Sequence, residues 1–344
     1  MRKPSLLYVS GMRWLFVLAG LILAVPVAAA QVQTSAPNQV APSADFATWL
    51  QGMRQDALAQ GISAATFDMA FAGVQPIPHI IELDHNQPET TLTFDQYIER
   101  VVPPARQQAA HQHYLDNQAL LDAVGQRYGV APRYIVALWG IESDFGDKPG
   151  TYPVIAALAT LAFDGRRANF FRKELINALS IIQNDHIPPQ TMIGSWAGAM
   201  GQSQFMPSSF LKFAVSYSGN GPPDIWSKPD DVFASIANYL ASSGWNPKLP
   251  LGWAVKAPAN LDSSLIGMGP KRSLADWAAL GISRADGSPL IDASTDSGIR
   301  AALLEPDGNT GPSFLVTDNF NVILRWNNSS FFALAVGYLA NSVN

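Results

Sequence analysis

Residues Ala131 to Gly146, APRYIVALWGIESDFG, constrain the fold more than any other stretch of this chain. Pro132 suits the first turn of a helix, where its missing N–H leaves no bond unmade, and Gly146 suits the residue just past the end. The spacing predicts about three turns of helix between them. Ile135, Leu138 and Trp139 fall at i, i+3 and i+4, and the next position on that apolar stripe is Glu142. Ionising a carboxyl group there is disfavoured twice: apolar neighbours desolvate the charge, and the C-terminal end of the helix already presents partial negative charge. Both effects raise its pKa. A carboxylic acid that keeps its proton near neutral pH is what general-acid cleavage of a glycosidic bond needs. A surface glutamate, or a buried one paired with arginine, is the competing explanation.

The chain has 344 residues, 48% of them hydrophobic and 14% charged, which is ample material for a core and unlike a disordered protein. Arg2, Lys3 and Arg13 precede an apolar run from Trp14 to Val25, followed by Pro26 and the small residues Val27 to Ala30. This pattern predicts a cleavable secretory signal peptide over residues 1–30 rather than an anchor, because the run is short for a membrane span. Its removal takes three basic residues and moves the net charge from −5 to −8, which argues against nucleic acid as a partner. With no cysteine, neither a disulfide framework nor a lipidated N-terminal Cys is possible. The expectation is a periplasmic protein that is not a lipoprotein and keeps no stable membrane anchor.

Residues 31–44 are polar with Pro and Ser, a flexible lead. From Asp45 the pattern turns helical, with Phe46, Trp49, Leu50 and Met53 on one face, and Ser63 is placed to cap a second helix carrying Phe67 and Ala70. The prolines of VQPIPHIIELDHNQPE break helix, and TFDQYIER resumes it with Tyr97. Helices are expected over 117–128, 153–163, 168–182, 207–217 and 229–242, with a turn at Asp164 and Gly165. His111 and His113 lie two apart, a spacing that does not share a helix face, so no metal site is expected there. Residues 249–322 carry short alternating apolar runs among Gly, Pro and Ser, expected as a small α+β insertion with one helix at 273–280. The end reads as a strand-like run, NVIL, then a capped apolar helix.

Gly194 to Ser209, GSWAGAMGQSQFMPSS, has little side-chain bulk, so backbone there can approach a bound polymer, with Phe205 as a flat apolar face and Ser195 and Gln204 as hydrogen-bonding groups. A phosphate-binding loop is disfavoured, since no Lys-Ser/Thr ending follows and no strand pattern precedes.

The phrases GIESDFG, YPVIAALATLAFDGRR and GSWAGAMGQSQFMPSS, in this order, closely resemble the lytic murein transglycosylases of the transglycosylase B branch. The resemblance covers residues 97–245 strongly and the segment around Asn327 more weakly. It implies a mainly α, lysozyme-like catalytic domain at 111–248, preceded by a helical region at 45–110, interrupted by the insertion at 249–322 and completed by 323–344. It implies Glu142 as the catalytic group, and Tyr97, Arg166, Arg167, Ser195, Gln204, Phe205, Tyr239 and Asn327 along the sugar cleft. Phe332 stands where a tyrosine is common in the family, so that hydroxyl is missing. Several members carry a calcium loop resembling an EF-hand. The matching positions here are Ser216, Ser218 and Asn220 with Asp231 beyond, few carboxylates for a calcium cage, so the loop reads as degenerate and no cofactor is expected, with calcium at this loop as the rival reading.

An ordinary glycosidase uses two carboxylates. Asp144 is the acidic residue nearest Glu142, and two residues along a helix point it elsewhere. One carboxyl group suffices if the substrate supplies the nucleophile, and the resemblance implies this: cleavage of the MurNAc–GlcNAc bond of peptidoglycan strands with formation of a 1,6-anhydromuramyl end. A hydrolytic muramidase and a catalytically idle peptidoglycan-binding scaffold are the rival readings. Other cell-wall enzymes are conceivable partners.

Overall fold

In the computed structural model, residues 44–86, 92–293 and 295–343 are described; the expected signal peptide and lead lie outside them. No helix among the described residues is long and apolar enough to cross a membrane. The chain forms two compact units, a helical one reaching Pro247 and resuming at Tyr338, and a second one over 248–337.

The helical unit is built around two helices with almost no exposed side chains. Val154–Asp164 buries every residue from Val154 to Ala162, and Pro132–Ser143 buries Tyr134 through Gly140. Helices Pro104–Asp116, Gln118–Tyr128 and Pro229–Ser242 pack on Pro132–Ser143, and Ala168–Asp185 packs on Val154–Asp164. The first helix, Ala44–Ala59, buries Phe46 and Met53 as the pattern predicts. The Ser63 hydroxyl accepts the Thr66 amide and starts helix Ala64–Ala70. Thr93 and Gln96 form a reciprocal capping box on Phe94–Val101, the helix carrying Tyr97.

Two expectations for this unit need correction. The proline-rich segment does not stay irregular: Pro78 opens helix Pro78–His85, because a proline at the first helical position loses no backbone bond. The helix from Pro207 stops at Phe213 rather than Tyr217. There the Asn238 side chain takes the Phe213 carbonyl at 2.8 Å and the Ser235 hydroxyl accepts the Val215 amide at 3.1 Å, so side chains of a neighbouring helix replace the next intrahelical bonds.

The unit at 248–337 contains the expected α+β insertion. Five antiparallel strands run in the spatial order Lys271–Ser273, Arg300–Leu304, Ser313–Val316, Gly252–Lys256 and Ser283–Arg284. Leu274, Trp277, Leu303 and Leu315 form its core, and the buried Trp277 indole donates to the Ala301 carbonyl at 2.9 Å. The expected short helix is Leu274–Ala279, capped by Ser273. The NVIL run is not a strand: it lies in helix Asp318–Trp326, where Phe320 and Ile323 turn inward at helical spacing. Asn327 ends that helix, and helix Ser330–Asn341 follows.

Candidate active site

Helix Pro132–Ser143 begins as its sequence requires, with Pro132 in its first turn, but closes earlier than Gly146. Asp144 and Phe145 both take left-handed backbone, at φ 53° and 59°, followed by Gly146 at 91°. Two consecutive non-glycine residues in that region are costly, of order 1–3 kcal/mol each, and persist only where their surroundings hold them. Glu142 is half-buried in the last turn of this helix, immediately before the strained pair.

The holding groups are visible on both residues. The Asp144 carboxylate accepts from Lys148 Nζ at 2.5 Å and lies 3.3 Å from Arg106 Nη2. Partial burial pushes the Asp144 carboxyl up, but the Lys148 hydrogen bond and the charges of Arg106 and Lys148 outweigh it and leave the group below its ordinary value. Arg106 also donates to the Val101 carbonyl, the end of the helix that carries Tyr97. One guanidinium therefore ties together the ends of the Tyr97 and Glu142 helices. Phe145 is buried with its ring stacked on His113 at 4.5 Å and edge-on to Trp139 at 5.5 Å. A Cβ at Gly140 would sit 2.5 Å from that ring, so only glycine lets the aromatic stack reach the helix.

A depressed carboxyl pKa in the folded state contributes stability above the ordinary carboxyl value, and that stability is lost as pH falls through the folded value. Asp144→Asn is thus expected to unfold at lower urea than the wild type at pH 7, with the gap closing below about pH 4. Urea melts at pH 7 and pH 3 check this; a gap that persists at pH 3 would assign the effect to packing instead.

Tyr97 is buried, and burial first, then the negative charge of Glu142, pushes its hydroxyl pKa well up. The structure thus brings Tyr97 and Glu142 together, and Tyr97 stays a neutral donor at any working pH.

The glycine-rich segment lies across the start of helix Val154–Asp164, with Ile193–Gly194 paired antiparallel to Tyr152–Pro153. Its glycines are not a bare floor for a polymer, as expected from sequence. A Cβ at Gly194 would meet the Ala199 carbonyl at 1.9 Å, so small size there serves the chain's own tight return. Ser195 is buried, and its hydroxyl accepts the Ala199 amide at 3.1 Å within that return. Gln204 takes left-handed backbone at φ 49°, and its side-chain amide donates to the Pro149 and Gly201 carbonyls, both at 2.8 Å. Phe205 is only 2% exposed and packs 5.9 Å from the Tyr239 ring, which itself lies 4.3 Å from Phe213. The expected open stacking face at Phe205 is therefore corrected: the ring backs Tyr239.

Sequence reasoning missed Gln202. Trp139, one turn before Glu142, donates its indole N–H to Gln202 Oε1 at 2.9 Å, and Gln202 Nε2 donates to the Trp226 carbonyl at 2.8 Å. A Cβ at Gly146 would fall 2.4 Å from the same Oε1. One carboxamide thus couples the Glu142 helix, its terminal turn and the segment around Trp226. The clue in the sequence was Gly146 itself, whose need reflects this close approach. Gln202→Leu strands an indole donor and a carbonyl, and is expected to cost about 2 kcal/mol of stability, read by thermal unfolding, with reduced turnover. Gln202→Glu keeps the acceptor for Trp139 but turns a carboxylate oxygen on the Trp226 carbonyl, and is expected to lose as much at pH 7.

The arginine pair is engaged within the fold. Arg166 Nε lies 2.8 Å from the buried carboxylate of Asp84, and the Arg167 guanidinium sits over the Phe170 and Phe171 rings at 5.1 and 5.2 Å. In the unit at 248–337, the Asn327 carbonyl accepts the Ser329 amide at 2.7 Å and Phe332 is buried.

The residues of the degenerate loop do not fit calcium. Both oxygens of the buried Asp231 carboxylate are taken by backbone amides, Tyr217 at 2.7 Å and Asp224 at 2.8 Å. Asp224 is taken by the Trp226 and Ser227 amides and by the Ser227 hydroxyl. Ser216 and Ser218 bond to one another at 3.3 Å, and Ser216 also donates to the Asn220 carbonyl. The loop uses its own donors where a cage would offer oxygens to an ion.

Known proteins resemble this chain. Membrane-bound lytic murein transglycosylase B of Escherichia coli is 34% identical over 250 residues, 72% of this chain and 66% of that protein, so the match spans about two thirds of the relative's length. The crystal structure of SltB3 from Pseudomonas aeruginosa in complex with NAG-anhNAM-pentapeptide superposes with a TM-score of 0.83 at 44% identity, covering 88% of this chain and 80% of that one. The E. coli lytic transglycosylase Slt35 in complex with calcium superposes at 0.71 with 28% identity, covering 86% and 92%. Residues 45–341 match the family described as the transglycosylase SLT domain, and on that match, with its lysozyme-like neighbours, the chain belongs to this family.

Proposed function

We propose that this protein is a peptidoglycan lytic transglycosylase that cleaves the β-1,4 bond between MurNAc and GlcNAc, with Glu142 as its single acid and base. The observation that carries this reading is that the charge of Glu142 acts on the buried, neutral Tyr97 hydroxyl while Asp144, the nearest carboxylate in sequence, is held by Arg106 and Lys148. Glu142 in its acid form protonates the departing GlcNAc O4 as the C1–O4 bond breaks. The resulting carboxylate then takes the proton of the MurNAc C6 hydroxyl as O6 bonds to C1, which restores the acid and consumes no water. Tyr239 and Gln204 are assigned to the sugar cleft with Ser195, Arg166 and Arg167, while Phe205 backs Tyr239. The anhydro-sugar peptide held by SltB3 supports the product, and the leader pattern supports export to the periplasm. The Asp231 clasp supports a loop closed without calcium.

The test is mass spectrometry of muropeptides released from purified sacculi by residues 31–344. Anhydro ends, one water lighter than reducing ends, are the expected product. Reducing ends would make the protein a hydrolase, and release of nothing, with sacculi still bound, would make it a scaffold.

A further inference from the structure

Three potential ligand groups converge where helix Pro78–His85 ends beside the end of Val154–Asp164. One ligand atom from each of Asp84, His85 and Asp164 lies within 4.8 Å of the other two. His85 Nε2 stands 3.1 Å from Asp164 Oδ2. The Asp84 side chain is 2% exposed, yet only Oδ2 is satisfied, by Arg166 Nε at 2.8 Å; Oδ1 is buried with no hydrogen-bond partner among the described residues. A buried carboxylate oxygen without a donor is costly, and that oxygen asks for a ligand.

We propose that Asp84, His85 and Asp164 form a binding site for a divalent transition-metal cation of the zinc or manganese kind. An imidazole nitrogen with two carboxylates is the donor set such ions accept, whereas calcium and magnesium prefer oxygen alone. Arg166 completes the pattern from behind: it orients Asp84 through Oδ2 and through the Asp84 carbonyl at 2.8 Å, as outer hydrogen bonds orient a metal-ligating carboxylate. Metal bonds of about 2.0–2.2 Å require the three groups to draw inward. His85, about half exposed, can move, while the buried Asp84 supplies the fixed point. The solvent side at His85 leaves room for water to complete the coordination.

The experiment is calorimetric titration of chelator-stripped residues 31–344 with zinc chloride and with manganese chloride, alongside His85→Ala and Asp164→Asn. Both substituted side chains lie at the solvent edge of the cluster, and circular dichroism melts check that each variant folds. The expected result is one equivalent bound by the wild type, at least about tenfold weaker binding by each variant, and a melting temperature raised by the ion in the wild type alone. No heat of binding up to millimolar ion would overturn the site, leaving a buried water on Asp84 Oδ1. Equal binding by wild type and variants would overturn it too, placing the ion elsewhere. Neither result depends on cell-wall cleavage.

Discussion

Glu142→Gln is expected to lower release of anhydromuropeptides from sacculi by about a thousandfold or more, with little change in melting temperature. General acid–base assistance contributes roughly 10²–10⁴-fold for one proton transfer, and here a single group serves both. The amide keeps the volume and the hydrogen-bonding reach of the acid but can neither give the proton to O4 nor take one from O6. Because Glu142 is only half-buried at the last turn of its helix, the neutral replacement leaves the core untouched. Time courses of released product by wild type and variant, read beside their thermal melts, decide it. A variant keeping a tenth of the activity would mean that another carboxylate carries the proton, and Asp144 freed from Lys148 would be the first to examine.

Asp231→Ala is expected to cost about 3 kcal/mol of folding stability, which for a unit of this size lowers the melting temperature by roughly 2–4 °C per kcal/mol. The carboxylate is 1% exposed, and each oxygen closes one amide from a different part of the 214–227 segment. Hydrogen bonds to a charged group contribute about 1.5–3 kcal/mol each, and removal leaves both half-buried donors unmet. Asp231→Asn is expected to lose nearly as much, since its NH2 faces an amide hydrogen on one side. Differential scanning calorimetry gives the cost. The same scans with calcium or with chelator should coincide for the wild type; a shift of several degrees with calcium would return the ion to this loop.

Much of the fold is legible because Pro and Gly punctuate amphipathic runs. Pro132, Ser63, Thr93 and Pro229 each start a helix where local chemistry requires one. The failures have a common physical origin. NVIL carries β-branched residues and two apolar periods at once, and only the burial of Phe320 and Ile323 at helical spacing selects helix. The glycines around Gly194 announce close approach, but sequence does not say what approaches, and the answer is the chain itself. Phe205 reads as a sugar platform until Tyr239 is seen beside it. The restraint on Asp144 was invisible because Arg106 lies 38 residues away and no local spacing signals such a pair.

The left-handed turn at Asp144 and Phe145 has a consequence for how this enzyme can change. With Pro132 barring an earlier start and the turn barring a later end, the helix has a fixed count of residues and nowhere to absorb another. One inserted residue would swing Glu142 about 100° around the axis, since each residue turns the helix by that much. Loop length elsewhere is adjustable at small entropic cost. A designer seeking new glycan preferences should therefore vary the loops and leave this helix, a ruler with both ends clamped, at its present length.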